Sequence, residues 1–225
     1  MNLENLSARI KMREIKHEFK YRANTVVSFS ASYPTLEAYH SRYVQENINT
    51  YYRSRAFRFY RYTANELYPN AVNDYKNSKD KGYPFRTHQA VMEYTVTYNK
   101  HCHLSTYDDR YEFTGGAHGS TVRHSDTWNL KNGRKLSFFS FFKPDPEIRK
   151  RLINIFISQA QKNPQNFFEN YKELIHKNFK PENFYLAENG FVFYFQQYDI
   201  APYASGIVEF LVPYGVLGID ISCKA

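Results

Sequence analysis

One long helical stripe constrains the fold of this chain more than any other feature of its sequence. Apolar and small residues recur at spacings of three and four from Val44 to Leu67, so they fall on one face of a helix. Residues from about 9 to 32 instead alternate in a way that is typical of two strands. The segment Tyr33-Pro34-Thr35 is expected to end the second strand, and the helical pattern begins at Leu36.

A further strand is predicted after this helix. The polar segment from Asn70 to Gly82 is expected to be a loop. Alternation from Met92 to Leu104 then predicts one strand, because residues two apart along a strand share a face. On this register Cys102 lies on the buried face, and His101 and His103 lie on the polar face.

Strands and helices are grouped along the chain rather than strictly alternating. Strands predicted over about 107–113 and 122–130 lead into Lys131-Asn132-Gly133-Arg134, a hairpin signal because Asn-Gly accepts a positive φ. Asp145-Pro146 begins a pair of helices, and strands return from Phe184 to Val212. This order predicts an α+β fold with antiparallel sheets, a long N-terminal helix and a helical pair before the C-terminal strands.

Composition excludes several classes of protein. Aromatic residues make up 18% of the chain, which is far more than a disordered chain contains. No stretch approaches the roughly 18 apolar residues that a membrane-spanning helix requires. The net charge of +8 weakly favours anionic partners such as nucleic acid or wall polymers. The sequence permits one bridge between Cys102 and Cys223 but does not establish it.

The first residues lack the basic and apolar regions of a signal peptide. The chain is therefore expected to be either cytoplasmic or a mature segment of a longer protein.

The segment Tyr111–Gly119 is unusual because it holds Gly115, Gly116 and Gly119 in a chain with only nine glycines. Such a concentration predicts positive φ angles or the close approach of another chain or ligand. Either the loop presents His118 as a base or metal ligand, or it is a structural turn in which His118 bonds the backbone. It is not a phosphate-binding loop, because the required glycine spacing is missing.

A second loop, predicted between two C-terminal strands, combines Tyr198, Asp199, Pro202 and Tyr203. A rigid aromatic side chain on a loop between strands is well suited to anchor a ligand. The alternative is a hairpin loop that packs Tyr203 back onto the fold.

Other polar groups predict no catalytic or metal site, and no cofactor is expected. His101 and His103 could face one side as a zinc pair would, but no metal-binding motif accompanies them. Asp108 and Asp109 are adjacent on a strand and point to opposite faces, so they cannot form an acid–base pair. The arginines at positions 53, 55, 58 and 61 are interpreted as the solvated face of the helix, which disfavours nucleic-acid binding.

Three motifs occur in the same order in one bacterial family. They are Tyr-x-Phe-Thr-Gly-Gly-Ala-His-Gly at 111–119, the hairpin sequence at 129–137, and the loop from Tyr198 to Gly206. In these motifs the chain resembles the family of tandem domains of unknown function found in the extracytoplasmic region of the anti-sigma-V factor RsiV and in the non-catalytic N-terminal part of the peptidoglycan deacetylase PdaC. The resemblance covers about residues 10 to 216. It implies an extracytoplasmic location and two α+β domains at 8–125, of the PdaC-associated type, and 126–218, of the RsiV C-terminal type.

The resemblance implies a non-enzymatic binding or sensing module that recognises a cell-wall glycan or a lysozyme-like protein. The chain shows no sigma-binding segment, so a complete anti-sigma factor is not expected. The alternative is a hydrolase or esterase that acts on wall polysaccharide with His118 as general base. The oligomeric state stays open. The candidate binding residues are Tyr203, Pro202, Asp199, Tyr198, His118, Gly115 and Gly116.

Overall fold

The computed structural model of this chain describes residues 6–141 and 145–223. The chain divides into two compact units, which are described separately below. The N-terminal unit comprises residues 9–94 and 108–122. The C-terminal unit comprises residues 6–8, 95–107 and the described part of 123–223.

In the described ranges the strands are β1 (Arg9–Tyr21), β2 (Asn24–Glu37), β3 (His88–Lys100), β4 (His103–Phe113), β5 (Ser120–Asn129), β6 (Arg134–Lys135), β7 (Phe184–Ala187), β8 (Gly190–Phe195) and β9 (Val208–Pro213). The helices are α1 (Arg42–Tyr62), α2 (Tyr68–Lys81), α3 (Ile148–Ala160), α4 (Tyr171–Asn178) and the single turn α5 (Tyr214–Leu217). Strands β1 to β6 form one sheet in chain order, and β7, β8 and β9 form a second sheet. The chain is therefore mixed α+β, as the grouping of its elements predicts.

The N-terminal unit contains a parallel strand pair, so the prediction of antiparallel sheets is wrong at this point. Strand β1 pairs with β2 in antiparallel register, but β2 pairs with β3 in parallel from Val27 opposite His88 to Ala31 opposite Met92. Parallel neighbours need a long crossover connection, and α1 and α2 supply it between β2 and β3.

The expected long N-terminal helix does not fit, because the first element of the described chain is strand β1. Strand β2 also runs through Pro34 to Glu37, so the helix begins only at Arg42. Pro34 lies beyond the part of β2 that pairs with β3, and proline is tolerated where a strand's N–H is not needed. The Oγ of Ser41 caps the helix by accepting a hydrogen bond from the backbone N–H of Val44 at 3.3 Å.

The helical stripe itself is confirmed, and the helix is longer than expected. Every residue of the stripe between Val44 and Leu67 that the spacing predicts is buried. A π-helical turn at Thr63–Leu67 joins α1 to α2, which continues to Lys81 and ends at Gly82 with a φ of +73°. The segment predicted as a loop is therefore helical, and Ala71 within it is fully buried.

The C-terminal unit includes the end of β3 and the start of β4, which form a hairpin. The turn residues His101 and Cys102 have φ angles of +49° and +61°, so the single strand predicted through Leu104 is wrong. Cys102 is buried and forms a disulfide with Cys223, with the two Cα atoms 5.5 Å apart. The disulfide closes a loop across a separation of 121 residues.

The predicted helical pair and C-terminal strands are confirmed in this unit. Strands β7, β8 and β9 form an antiparallel meander, and the pairing of Ala187 with Gly190 places its first turn at Glu188 and Asn189. Helix α3 packs on it through Phe156, whose ring stacks on that of Phe210 with centroids 5.1 Å apart. The hairpin between β5 and β6 is also confirmed, with Gly133 at a φ of +68° in its turn.

Among the residues that the structure describes, no helix is both long enough and apolar enough to cross a membrane.

Candidate functional site

The loop between β8 and β9 places two of the predicted tyrosines side by side in the C-terminal unit. The rings of Tyr198 and Tyr203 lie with their centroids 6.0 Å apart and their planes tilted by 35°. Tyr198 is 52% exposed, whereas Tyr203 is half-buried at the start of a 3-10 turn that follows the exposed Pro202. The loop thus presents an aromatic surface to solvent.

Hydrogen bonds fix this tyrosine loop on both sides. The Asp199 carboxylate accepts from the backbone N–H of Gln196 at 2.9 Å, and the Asn178 side chain donates to the Asp199 carbonyl at 2.6 Å. The Ser205 hydroxyl donates to the carbonyl of Asn166 at 2.8 Å. Burial raises the pKa of the Asp199 carboxyl, although the Gln196 N–H and Lys180 oppose that shift. Asp199 therefore holds the loop in shape rather than standing open to solvent.

The glycine loop between β4 and β5 belongs to the N-terminal unit. Gly115 has a φ of +83°, and the carbonyl of Gly116 accepts a hydrogen bond from Arg86 Nη1 at 3.0 Å. At Gly119 a Cβ atom would lie 2.5 Å from Cζ of Tyr111, so only glycine fits there. These are the requirements of a tight turn.

His118 is exposed on this loop, and its Nδ1 donates to the carbonyl of Gly119 at 3.1 Å. The histidine thus bonds the backbone, as the structural-turn interpretation predicts.

A different histidine lies beside the glycines: buried His88 lines a cleft of about 320 Å³ together with Asp74, Gly115 and Gly116. Its Nε2 lies 3.3 Å from Asp74 Oδ2, and burial lowers the pKa of His88 while Asp74 opposes that shift. The sequence interpretation missed this pair.

The two histidines expected on one polar face, His101 and His103, do not share it. His103 is buried, because the hairpin turn at His101–Cys102 changes the register on which the prediction relied. Burial lowers the pKa of His103 to about 4. Nδ1 of His101 lies 2.8 Å from the hydroxyl of Tyr98. Across residues 6–141 and 145–223, His, Cys, Asp and Glu side chains form no group of three or more that could hold a metal ion.

A cleft lined by arginines lies in the N-terminal unit, and the sequence interpretation missed it. We call it the arginine cleft; its volume is about 460 Å³. Helix α1 and strand β4 supply its lining. The lining residues are Arg55, Arg58, Phe59, Tyr62, Arg110 and Glu112.

Arg55 is buried, which corrects the interpretation of the helix arginines as a uniformly solvated face. It is 8% exposed, and its Nη2 donates to Oδ1 of the fully buried Asp108 at 2.9 Å. Its Nε donates to the hydroxyl of Tyr94 at 3.1 Å. The second oxygen of Asp108 accepts from Nε of Arg110 at 3.1 Å. One buried carboxylate therefore orients two of the guanidinium groups that line the cleft.

The arginine cleft also carries an exposed aromatic ring. Tyr62 is 41% exposed and stacks on Phe59, with centroids 6.3 Å apart and planes 14° apart. The Tyr62 hydroxyl donates to Glu112 Oε2 at 3.2 Å. Partial burial raises the pKa of Tyr62, and the Glu112 charge adds to that shift. The spacing of these residues in the sequence already indicates which of them share a face. Positions 55, 58, 59 and 62 lie on one face of a helix, and positions 108, 110 and 112 lie on one face of a strand.

These features define an α+β protein with candidate binding surfaces on a tyrosine loop and in an arginine cleft. Residues 21–121 match the family model described as deacetylase PdaC, and residues 140–215 match that of a protein of unknown function, DUF3298. The chain thus matches a PdaC-type model and a DUF3298 model in tandem along its length. None of the curated proteins matches it significantly in sequence.

Two solved structures share this fold along nearly their whole length. A DUF3298 family member from Bacteroides fragilis is 19% identical with a TM-score of 0.69, over 96% of this chain and 95% of that one. A DUF3298 family protein from Pseudomonas aeruginosa is 16% identical with a TM-score of 0.64, over 97% of each chain. At these identities the likeness shows the fold alone.

Proposed function

We propose that this chain is a non-enzymatic binding module of the RsiV type that recognises a cell-wall glycan through Tyr198 and Tyr203. The observation that carries the proposal is the tilted pair of tyrosine rings on a loop held by hydrogen bonds. A tyrosine ring offers an apolar face for a sugar ring and a hydroxyl for its polar groups. Because the loop is already ordered, binding would lose little conformational entropy.

The fixed parts of the loop have a supporting role in this proposal. Asp199 holds the backbone between the two tyrosines, and Pro202 sets the chain direction immediately before Tyr203. Gly115, Gly116 and His118 belong to the other unit, and they are proposed as a separate contact.

The proposal is tested by measuring binding of purified protein to insoluble wall polysaccharide and to soluble chitin oligosaccharides. Tyr198→Ala and Tyr203→Ala should each weaken binding about three- to tenfold, which is the scale of a lost aromatic contact. Tyr43→Ala is a matched control, because Tyr43 is 73% exposed at the start of α1 and lies outside the loop.

Two results would overturn the glycan proposal. One is that no wall fragment binds to the unaltered protein. The other is that Tyr43→Ala weakens binding as much as Tyr203→Ala. Circular dichroism of each variant must match that of the unaltered chain, so that loss of binding is not loss of fold.

A lysozyme-like protein is the partner that the family resemblance adds. The net charge of +8 counts against a basic lysozyme, since like charges slow association. Isothermal titration with lysozyme separates the two partners. Lysozyme binding that Tyr203→Ala abolishes, without any glycan binding, would replace the glycan by a protein partner.

The alternative function, a polysaccharide hydrolase or esterase with His118 as general base, receives less support. Nδ1 of His118 donates to the neighbouring carbonyl of Gly119, which is a backbone contact rather than a catalytic one. The test is release of acetate or of reducing ends from wall polysaccharide. Activity that His118→Ala removes would favour the enzyme.

An extracytoplasmic location belongs to the same proposal. The Cys102–Cys223 disulfide supports it, because disulfides persist in oxidising compartments and are rare in reducing ones. Thiol alkylation in intact cells before lysis provides the test, and free thiols in the isolated protein would contradict the location. The domain boundaries at 8–125 and 126–218 also stay a proposal.

A further inference from the structure

We propose that the arginine cleft is a binding site for an acidic sugar, whose carboxylate is held by Arg58 and Arg110. The residues of the cleft belong to the N-terminal unit, whereas the tyrosine loop belongs to the C-terminal unit. The inference therefore goes beyond the proposed glycan function and does not depend on it.

The charges of the cleft leave a surplus of guanidinium groups. Asp108 neutralises Arg55, to which it is hydrogen-bonded inside the fold. Arg110 uses only its Nε on Asp108, so its Nη groups donate to no acceptor in the described chain. Arg58 is exposed and makes no hydrogen bond or ion pair within residues 6–141 and 145–223. With Glu112 included, three arginines face two carboxylates at this place.

Guanidinium groups bind carboxylates in preference to neutral groups because their parallel N–H bonds match the two oxygens. Arg110 is pre-oriented for this role, since Asp108 holds its Nε and its guanidinium lies 5.7 Å from the ring centre of Phe59. A held guanidinium loses less side-chain entropy on binding than a mobile one.

The aromatic wall points to a sugar rather than to a bare anion. The ring of Tyr62 is exposed at the cleft, is backed by Phe59, and is anchored through its hydroxyl to Glu112. Such a ring face can cover the apolar face of a pyranose. The volume of about 460 Å³ falls in the range of small-ligand sites.

The test is a nuclear magnetic resonance titration of the full chain with glucuronate, with glucose as the neutral control. Glucuronate should bind and glucose should bind at least about tenfold more weakly, because only glucuronate offers charge-assisted hydrogen bonds. Arg58→Gln should weaken glucuronate binding about tenfold. Arg61→Gln is the matched control, since it removes the same charge from the same helix but does not line the cleft.

Glu112→Gln should change glucuronate affinity in the opposite direction to Arg58→Gln. It removes the carboxylate that lines the cleft, so glucuronate affinity should rise by about two- to fivefold. A role of Glu112 in folding alone would not raise affinity. Tyr43→Ala, which removes an exposed tyrosine of the same helix that does not line the cleft, should leave glucuronate binding unchanged.

Three outcomes would overturn the proposal. The first is the absence of glucuronate binding to the unaltered chain, and the second is an Arg61→Gln variant that weakens binding as much as Arg58→Gln does. Inorganic phosphate that displaces glucuronate at lower concentration would show a phosphate site instead of a carboxylate site.

Discussion

The buried ion pair between Arg55 and Asp108 gives the sharpest test of how the N-terminal unit is held together. Asp108 is fully buried and its Oδ1 lies 2.9 Å from Arg55 Nη2. The change Asp108→Asn keeps the shape of the side chain and removes its charge. It leaves the Arg55 guanidinium inside the fold with no opposite charge on its original partner.

The expected cost follows from the geometry. Two unit charges about 4 Å apart attract by about 4 kcal/mol at an effective dielectric constant of about 20. The asparagine oxygen still accepts one hydrogen bond, which returns about 1 kcal/mol. Asp108 also loses its charge toward Arg110, and breaking one side of a buried pair typically costs about 3 to 5 kcal/mol. We expect Asp108→Asn to lower the free energy of unfolding by about 3 kcal/mol or more.

The assay is urea unfolding at 25 °C, followed by two signals. Far-UV circular dichroism at helical wavelengths reports mainly α1 and α2, whereas fluorescence of Trp128, the single tryptophan, reports the C-terminal unit. At a slope of about 1 to 3 kcal/mol per molar urea, the circular dichroism midpoint should fall by about 1 M or more. The control is Asp109→Asn on the same strand, which is only partly buried and should cost less than about 1 kcal/mol.

A second test of the same ion pair is the paired change Arg55→Met with Asp108→Leu. Removing both charges leaves no unopposed guanidinium buried in the fold. Arg110 also loses its bond to Asp108, but it is partly exposed and water replaces that bond, so the double variant should be more stable than Asp108→Asn. The explanation is refuted if Asp108→Asn costs less than about 1 kcal/mol. It is equally refuted if the double variant is no more stable than Asp108→Asn.

Three further predictions concern the disulfide, the glycine loop and a buried histidine. Reduction of the Cys102–Cys223 bridge should lower the free energy of unfolding by about 2 to 5 kcal/mol, because a loop of 121 residues regains its entropy; unfolding with and without reductant measures it. Gly119→Ala should cost about 1 to 3 kcal/mol through its clash with an aromatic ring, whereas Gly116→Ala, whose nearest contact would be 4.0 Å away, should cost little in the same urea assay. The pKa of His103 is about 4 in the fold against about 6.5 unfolded, so the unfolded chain binds the extra proton between these values. Stability should fall as pH drops from about 6.5 to about 4, by up to about 1.4 kcal/mol per pH unit, and less so in His103→Phe.

Patterns among neighbouring residues in the sequence were enough to predict single helices and turns. The stripe from Val44 to Leu67 predicts the buried face of α1 and of the π-helical turn after it, and Asn132-Gly133 predicts the hairpin between β5 and β6. Each depends on residues within a few positions of one another. The start and end of the helix were missed because sheet pairing carries the strand through Pro34, and because a π-helical turn continues the helix to Lys81.

The candidate sites depend on pairings that no local pattern contains. Asp108 follows Arg55 by 53 residues, and Cys223 follows Cys102 by 121. A helical face and a strand face each give the direction of their own side chains but not which of them meet. The sequence therefore predicted the tyrosine loop, whose members are neighbours in the chain, and missed the arginine cleft.

Net charge alone misleads about where an anion would bind. The +8 of the chain counts Arg55 as fully as Arg58, yet Asp108 cancels the first within the fold and no described side chain cancels the second. Only uncancelled charge attracts a ligand, and salt screens it at exposed positions. Stacking on Tyr198 and Tyr203 involves no charge and is not screened. Raising the salt concentration from about 0.05 to about 0.5 M should therefore weaken glucuronate binding severalfold and leave neutral glycan binding nearly unchanged. If salt weakened both equally, binding by charge in the arginine cleft and by stacking on the tyrosine loop would be contradicted.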